Sequence, residues 1–132
     1  MKNVGIVLIS HSHELVKGLE ELLDQIQQNV PIATAGGTSV NEIGTDVFKI
    51  KKAIESVYSE KGVAILFDLG SALINAEMAL EMMGDEVKKI KIADAPLVEG
   101  AYAAVIQSGI GSSLDEVIAS AEEAKSLQKV MR

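Results

Sequence analysis

Two histidines, His11 and His13, stand two apart in the stretch VLISHSHELVKG, residues 7–18, and the chain has no others. An unperturbed imidazole titrates at about pH 6.5, so either can carry a proton or attack through a neutral nitrogen. His11 directly follows an apolar run, where a strand would end, and Asp68 follows a second such run. If those two strands are neighbours, the Asp68 carboxylate can accept the Nδ1 proton of His11. That fixes the tautomer and leaves the Nε2 lone pair facing outward. His13 falls in what reads as the first turn of a helix. The positive end of the dipole discourages protonation there, and a solvent-facing or capping role is expected of it.

Several chemistries use a histidine so placed. Hydrolysis with Ser10, Ser12 or Ser71 as nucleophile has no G-x-S-x-G elbow behind it. A metal pair of His11 and His13 with Asp68 requires an extended loop between the two rings, and no metal is expected. Phosphoryl transfer draws support from the surroundings. Ser12 and His13 open a helix whose free N–H groups point toward a group on His11. Gly36, Gly37, Thr38, Gly70 and Ser71 lie in small loops able to present backbone N–H groups to phosphate oxygens. Any one of these glycines serves equally well in a tight turn; their coincidence around one histidine carries the weight. Neither G-x-G-x-x-G nor G-x-x-x-x-G-K occurs, so the chain shows no nucleotide-binding motif of its own. The candidate set is therefore His11 and Asp68 for catalysis, with Ser12, Gly36, Gly37, Thr38, Gly70 and Ser71 as phosphate-binding or wall residues. Asp94 reads better as a turn or helix cap.

The elements that must position these residues are legible in the hydropathy pattern. VGIVLI, residues 4–9, is a β-branched run of the kind buried on both faces of a sheet. Residues 14–28 carry Leu15, Val16, Leu19, Leu22, Leu23 and Ile26 at helical spacing. A strand is expected at 30–34, a polar glycine-rich loop after it, and a helix over 46–58 that buries Val47, Ile50, Ile54 and Val57, with Thr45 as N-cap. A third strand at 62–67 ends in Asp68-Leu69-Gly70-Ser71, and the helix after it, 72–83, stops at Gly84. In VKKIKI, 87–92, lysines alternate with isoleucines, as on a half-exposed edge strand. A charge-poor helix at 97–107 follows, and Ser113 with Glu116 forms a capping box for a last helix over 114–129. This order predicts an α/β fold, an open and mostly parallel sheet of four to five strands with helices on both faces. Ligands of such sheets collect beyond the C-terminal ends of the strands, where His11, residues 34–38, Asp68 and Asp94 all fall.

Composition narrows the function classes. With 132 residues, 48% of them hydrophobic, the chain suits one globular domain. Nineteen acidic against twelve basic residues give a net charge of −7, which repels a nucleic-acid backbone. Lys49, Lys51 and Lys52 read as solvating an outward helix face. The absence of cysteine excludes disulfides and thiolate chemistry and is compatible with a reducing compartment. No run approaches the roughly 20 apolar residues of a membrane span, and the N-terminal run is too short for a signal peptide. A soluble cytoplasmic protein is expected, binding neither membrane nor nucleic acid.

The stretches VLISHS, ATAGGT (33–38), EIGTD (42–46), FDLGSA (67–72) and ADAPLVEGA (93–101) together resemble the DhaM family. These are the phosphotransferase subunits of phosphoenolpyruvate-dependent dihydroxyacetone kinases, relatives of mannose-family EIIA domains. The resemblance covers essentially the full chain; SHS alone is weak, whereas the other motifs at these spacings are specific. It implies a single EIIA-like phosphocarrier domain over residues 1–132. In such a domain His11 receives a phosphoryl group on Nε2 from phospho-HPr and passes it to ADP held by a partner subunit, DhaL. The regenerated ATP then phosphorylates dihydroxyacetone held by a third subunit, DhaK, so DhaK is an indirect partner. Asp68 matches the carboxylate that orients the histidine, and the GGT and DLGS loops match the walls of its site. No cofactor is then bound by this chain itself, ADP and ATP being held by DhaL. A homodimer is also implied, with VKKIKI or the helix near Ala101–Ile106 as possible contacts. Some family members carry further HPr-like and enzyme-I-like domains, for which 132 residues leave no room, so a stand-alone form using a separate HPr is expected. His13 lies outside the family's central motif. Two alternatives stay open: an EIIA domain feeding an EIIB protein of a sugar transporter, and a non-catalytic regulatory module.

Overall fold

The computed structural model describes residues 3–84 and 89–131. Four strands, β1 (Gly5–Ser10), β2 (Ile32–Gly36), β3 (Val63–Phe67) and β4 (Ile90–Ile92), form one sheet in the order β2-β1-β3-β4. All three pairings are parallel. Five helices connect and cover them: α1 (His13–Ile26), α2 (Val47–Val57), α3 (Ser71–Met83), α4 (Leu97–Gly109) and α5 (Leu114–Glu123). The expected α/β class and helix-covered parallel sheet are thus observed, with four strands.

Strand β1 explains why the sheet is buried on both sides. Every one of its residues is inaccessible, and successive side chains alternate between two cores. Ile6 and Leu8 pack with Leu19 and Leu23 of α1, Ala101 and Val105 of α4 and Val117 of α5. Val7 and Ile9 pack with Ile50 and Ile54 of α2 and Ala72 and Ala76 of α3. Each Val, Leu or Ile so buried contributes about 1.5–3 kcal/mol relative to exposure. A one-residue slip of β1 would exchange its two faces.

Several expectations need correction. Asp46, not Thr45, caps α2: its carboxylate accepts from the N–H groups of Phe48 (2.8 Å) and Lys49 (3.1 Å). Thr45 instead accepts a hydrogen bond from the Asn75 amide at 2.6 Å, tying the start of α2 to α3. The last helix stops at Glu123 and passes into a short 3-10 turn, Ala124–Ser126, because no buried apolar residue follows Ala121. The apolar stripe of α1 is narrower than its sequence suggests: Val16, Leu19 and Leu23 are buried, while Leu15, Leu22 and Ile26 are exposed. Strand β2 runs to Gly36, two residues further than its apolar stretch. Of the expected edge strand at 87–92, residues 87 and 88 lie outside the described residues; β4 is short and half-exposed at the sheet edge, as its lysines suggested. The capping box of Ser113 and Glu116 forms as expected. Among the described residues, no helix is long and apolar enough to cross a membrane.

Because the chain leaves β1 for β2 on one side and returns to β3 on the other, a crevice opens beyond their C-terminal ends. Ser10 pairs with Gly36, and Ile9 with Phe67, so His11 and Gly37 emerge at one level and Asp68 one residue before it, beside Ser10.

Candidate active site

His11 and Asp68 meet as the strand order requires. Nδ1 of His11 lies 3.0 Å from Oδ1 of Asp68, with the two side chains 20% and 16% exposed. An ionised carboxylate only accepts, so the ring donates from Nδ1, and in the neutral ring the lone pair is then on Nε2. Nε2 meets the Ser71 hydroxyl at 2.7 Å, at the first residue of α3.

Asp68 is held from four directions. Oδ1 also accepts from the Leu69 N–H at 2.7 Å, while Oδ2 accepts from the Ser10 hydroxyl at 2.8 Å and the His11 N–H at 3.0 Å. Partial burial pushes its carboxyl upward, but hydrogen bonds from the Ser10 hydroxyl, the His11 N–H, the His11 ring and the Leu69 N–H outweigh this. The net effect holds it below the ordinary aspartate value. A carboxylate with two donors on each oxygen has its lone pairs filled. It is therefore suited to orienting the ring, and is held in the charged form that only accepts.

The remaining candidates surround this pair in different ways. Ser12 caps α1: its hydroxyl accepts from the Leu15 N–H at 3.2 Å, so it belongs to the helix start. At the start of α3, the N–H groups of Gly70 and Ser71 meet no acceptor among the described residues. The GGT loop differs from expectation. The N–H of Gly37 is committed to Ser10 O (3.2 Å) and that of Thr38 to Glu42 O (2.9 Å), and the Thr38 hydroxyl accepts from the Glu42 N–H (3.1 Å). These residues build a self-bonded turn beside the histidine. Gly36 is required by contact: a Cβ there would lie 2.5 Å from Val16 Cγ2 and 2.7 Å from Ser12 O, so only glycine lets the start of α1 settle on β2. Gly37 has φ +76°, a conformation that side chains disfavour.

Sequence reasoning treated Ser10 only as a possible nucleophile and missed its partners. It is fully buried, and its hydroxyl bridges Asp68 and the Ser12 N–H (3.0 Å). Lys49 was also misread as part of an outward face. Its ammonium donates to Gly36 O at 2.9 Å and to Asn41 Oδ1 at 2.6 Å, clamping the loop after β2. Lys51, by contrast, pairs outward with Glu55.

His13 lies apart from the His11–Asp68 pair. It lines a cleft of about 380 Å³ at the outer edge of β2, with Lys17, Glu20, Lys49 and Lys52 among its neighbours. No cluster of three or more His, Cys, Asp or Glu side chains able to hold a metal is found among the described residues. The site thus offers an imidazole whose Nδ1–H is held by a carboxylate, with Nε2 at a partly open rim beside helix-start N–H groups that meet no acceptor among the described residues.

Comparison with known proteins gives a consistent family. Residues 5–118 match the EIIA-man family model, described as the PTS system fructose IIA component. The phosphoryl donor subunit DhaM of PEP-dependent dihydroxyacetone kinase 2 from Listeria innocua is 37% identical over 117 residues, covering 87% of this chain and 94% of that protein. The corresponding subunit from Providencia stuartii is 40% identical over 126 residues, which cover 92% of this chain but only 26% of that longer protein. A crystal structure of a protein of unknown function superposes with a TM-score of 0.86 at 34% identity, covering 98% of this chain and 99% of the other.

Proposed function

Since the chain belongs to the EIIA-man family and aligns along most of its length with DhaM phosphoryl donor subunits, we propose that it is a phosphotransferase working through a phosphohistidine on Nε2 of His11. In this reading, residues 1–132 act as a single EIIA-like phosphocarrier domain in the cytoplasm. The donor is phospho-HPr, the acceptor is ADP held by DhaL, and DhaK consumes the ATP in phosphorylating dihydroxyacetone.

The observation that carries the proposal is the fixed tautomer. With Nδ1–H given to Asp68, the Nε2 lone pair can attack phosphorus in line with the departing nitrogen of the donor. One N–P bond forms as the other breaks, and the donor imidazole leaves neutral. In the second half, a terminal phosphate oxygen of ADP attacks, the Nε2–P bond breaks and His11 returns to its starting state. Asp68 steadies the partial positive charge on the ring in both halves.

The surroundings suit this exchange. Ser71 must swing from the lone pair when phosphorus arrives, after which its hydroxyl can donate to a phosphoryl oxygen. The N–H groups of Gly70 and Ser71 open α3 toward the same place, where a helix start favours negative charge. Ser12, Gly36, Gly37 and Thr38 then shape the wall. Ile43, next to Gly44 whose N–H bonds the His11 carbonyl, and Leu69, next to Asp68, are 78% and 61% exposed, and Phe48 and Ile74 in the first turns of α2 and α3 are 70% and 65% exposed; in this reading donor and acceptor proteins dock on these side chains in turn.

Incubation with phosphoenolpyruvate, enzyme I and HPr should give an acid-labile, base-stable phosphohistidine at His11, absent in His11→Gln. Its phosphate should discharge to ADP-loaded DhaL. Label that moves only to an EIIB protein makes the chain a sugar-transporter component, and label that never forms makes it a non-catalytic module.

A further inference from the structure

We infer that Ser10 is a positioning residue for phosphoryl transfer, holding the Asp68 carboxylate in the rotation that presents Oδ1 to the ring of His11. This deepens the proposed function and rests on it. Ser10 is the last residue of β1 and is wholly buried where four segments meet: β1, the start of α1, the loop after β2 and the turn after β3. A serine hydroxyl has one proton to give. The Ser12 N–H already points at the Ser10 oxygen (3.0 Å), so the hydroxyl proton has Asp68 Oδ2 as its acceptor, at 2.8 Å. The backbone carbonyl of Ser10 accepts from Gly37 at 3.2 Å, which locks the residue from its other side.

The direction of these bonds matters. Asp68 is free to turn about its last side-chain bond, and that rotation decides which oxygen faces Nδ1. On Oδ2 the competing donors are the Ser10 hydroxyl and the His11 N–H. The N–H lies in the planar peptide unit that joins Ser10 to His11, whose carbonyl Gly37 already holds. The hydroxyl comes from the same rigid strand end through a side chain, so the two donors together fix the rotation of the carboxylate. Removing the hydroxyl leaves a less constrained carboxylate and an orphaned Ser12 N–H at the start of α1. The ring then loses part of its bias toward the Nδ1–H tautomer, and nucleophilic Nε2 becomes less populated.

The test compares wild type, Ser10→Ala, Ser10→Cys and Ser10→Thr in two ways: the rate of phosphoryl acceptance from phospho-HPr, and the tautomer of His11 read from its ring ¹⁵N shifts. The expected result is a rate at least several-fold lower in Ser10→Ala, together with a lowered Nδ1–H population. Ser10→Cys should fall between, and Ser10→Thr, which restores a hydroxyl, should approach wild type. An unchanged tautomer in a folded Ser10→Ala variant overturns the inference, whatever the rate. If Ser10→Ala does not fold, Ser10→Cys carries the same comparison; failure of both to fold overturns it too, since Ser10 is then a folding determinant. Should the wild type accept no phosphate at all, the proposed function fails while the tautomer comparison still decides the part played by Ser10.

Discussion

Four donors within 3.0 Å on Asp68 determine how this residue responds to pH as well as what it does for His11. Its folded carboxyl sits below the ordinary aspartate value, so the charged form favours the folded state. That contribution is complete above the unfolded value of about 3.9 and is lost as pH falls through the lower folded value. The melting-temperature difference between wild type and Asp68→Asn should therefore stay level from about pH 7 to 5 and shrink below about pH 4. A difference that stays level down to about pH 3 contradicts the hydrogen-bonding account. Asp68→Asn should also slow phosphoryl transfer, since a neutral amide neither selects the tautomer nor steadies the charged ring. His13 makes the opposite case. It lines the β2-edge cleft, so His13→Ala should accept phosphate within about twofold of the wild-type rate. Complete loss would reverse the ranking of the two histidines.

The elements show where sequence reading succeeds and where it stops. The runs at 4–9 and 62–67 were legible as strands because burial on both faces leaves an unbroken apolar stretch, and both anchor the site as expected. The pairing of His11 with Asp68 followed once those strands were taken as neighbours. The part played by Ser10 was not legible, because its partner lies 58 residues away and a buried serine reads like any other. Lys49 was missed for a related reason: helical spacing marks it as outward, but the loop after β2 folds back over its ammonium. At the start of α2, adjacent Thr45 and Asp46 are both good caps; Asp46 takes the place because Thr45 is engaged by Asn75. The loop glycines were noticed for phosphate binding, whereas Gly36 is needed for packing. Gly36→Ala would push a methyl into Val16 and the start of α1 and should cost about 1–3 kcal/mol, as overpacking does. Urea denaturation measures this directly; an unchanged midpoint would show that α1 can shift freely against β2.

At the scale of the whole molecule, the proposed function asks a chain of net charge −7 to exchange phosphate with other proteins without relying on general attraction to anionic surfaces. Exposed apolar side chains on the elements that carry the site suit that need, since apolar contact is indifferent to the sign of the partner. Phe48 and Ile74 flank the point where Thr45 and Asn75 join α2 to α3, so the rim is built on two helix starts that are fixed to each other. Ile74→Glu and Phe48→Glu are both on the surface, and neither should change the melting temperature appreciably. Each should raise the KM for phospho-HPr or for ADP-loaded DhaL by about tenfold, which corresponds to about 1.4 kcal/mol of lost contact. An increase with one partner alone would divide the rim into donor and acceptor sides. If KM is unchanged with both partners while labelling of His11 persists, docking takes place elsewhere, and the exposed apolar side chains around the histidine need another explanation.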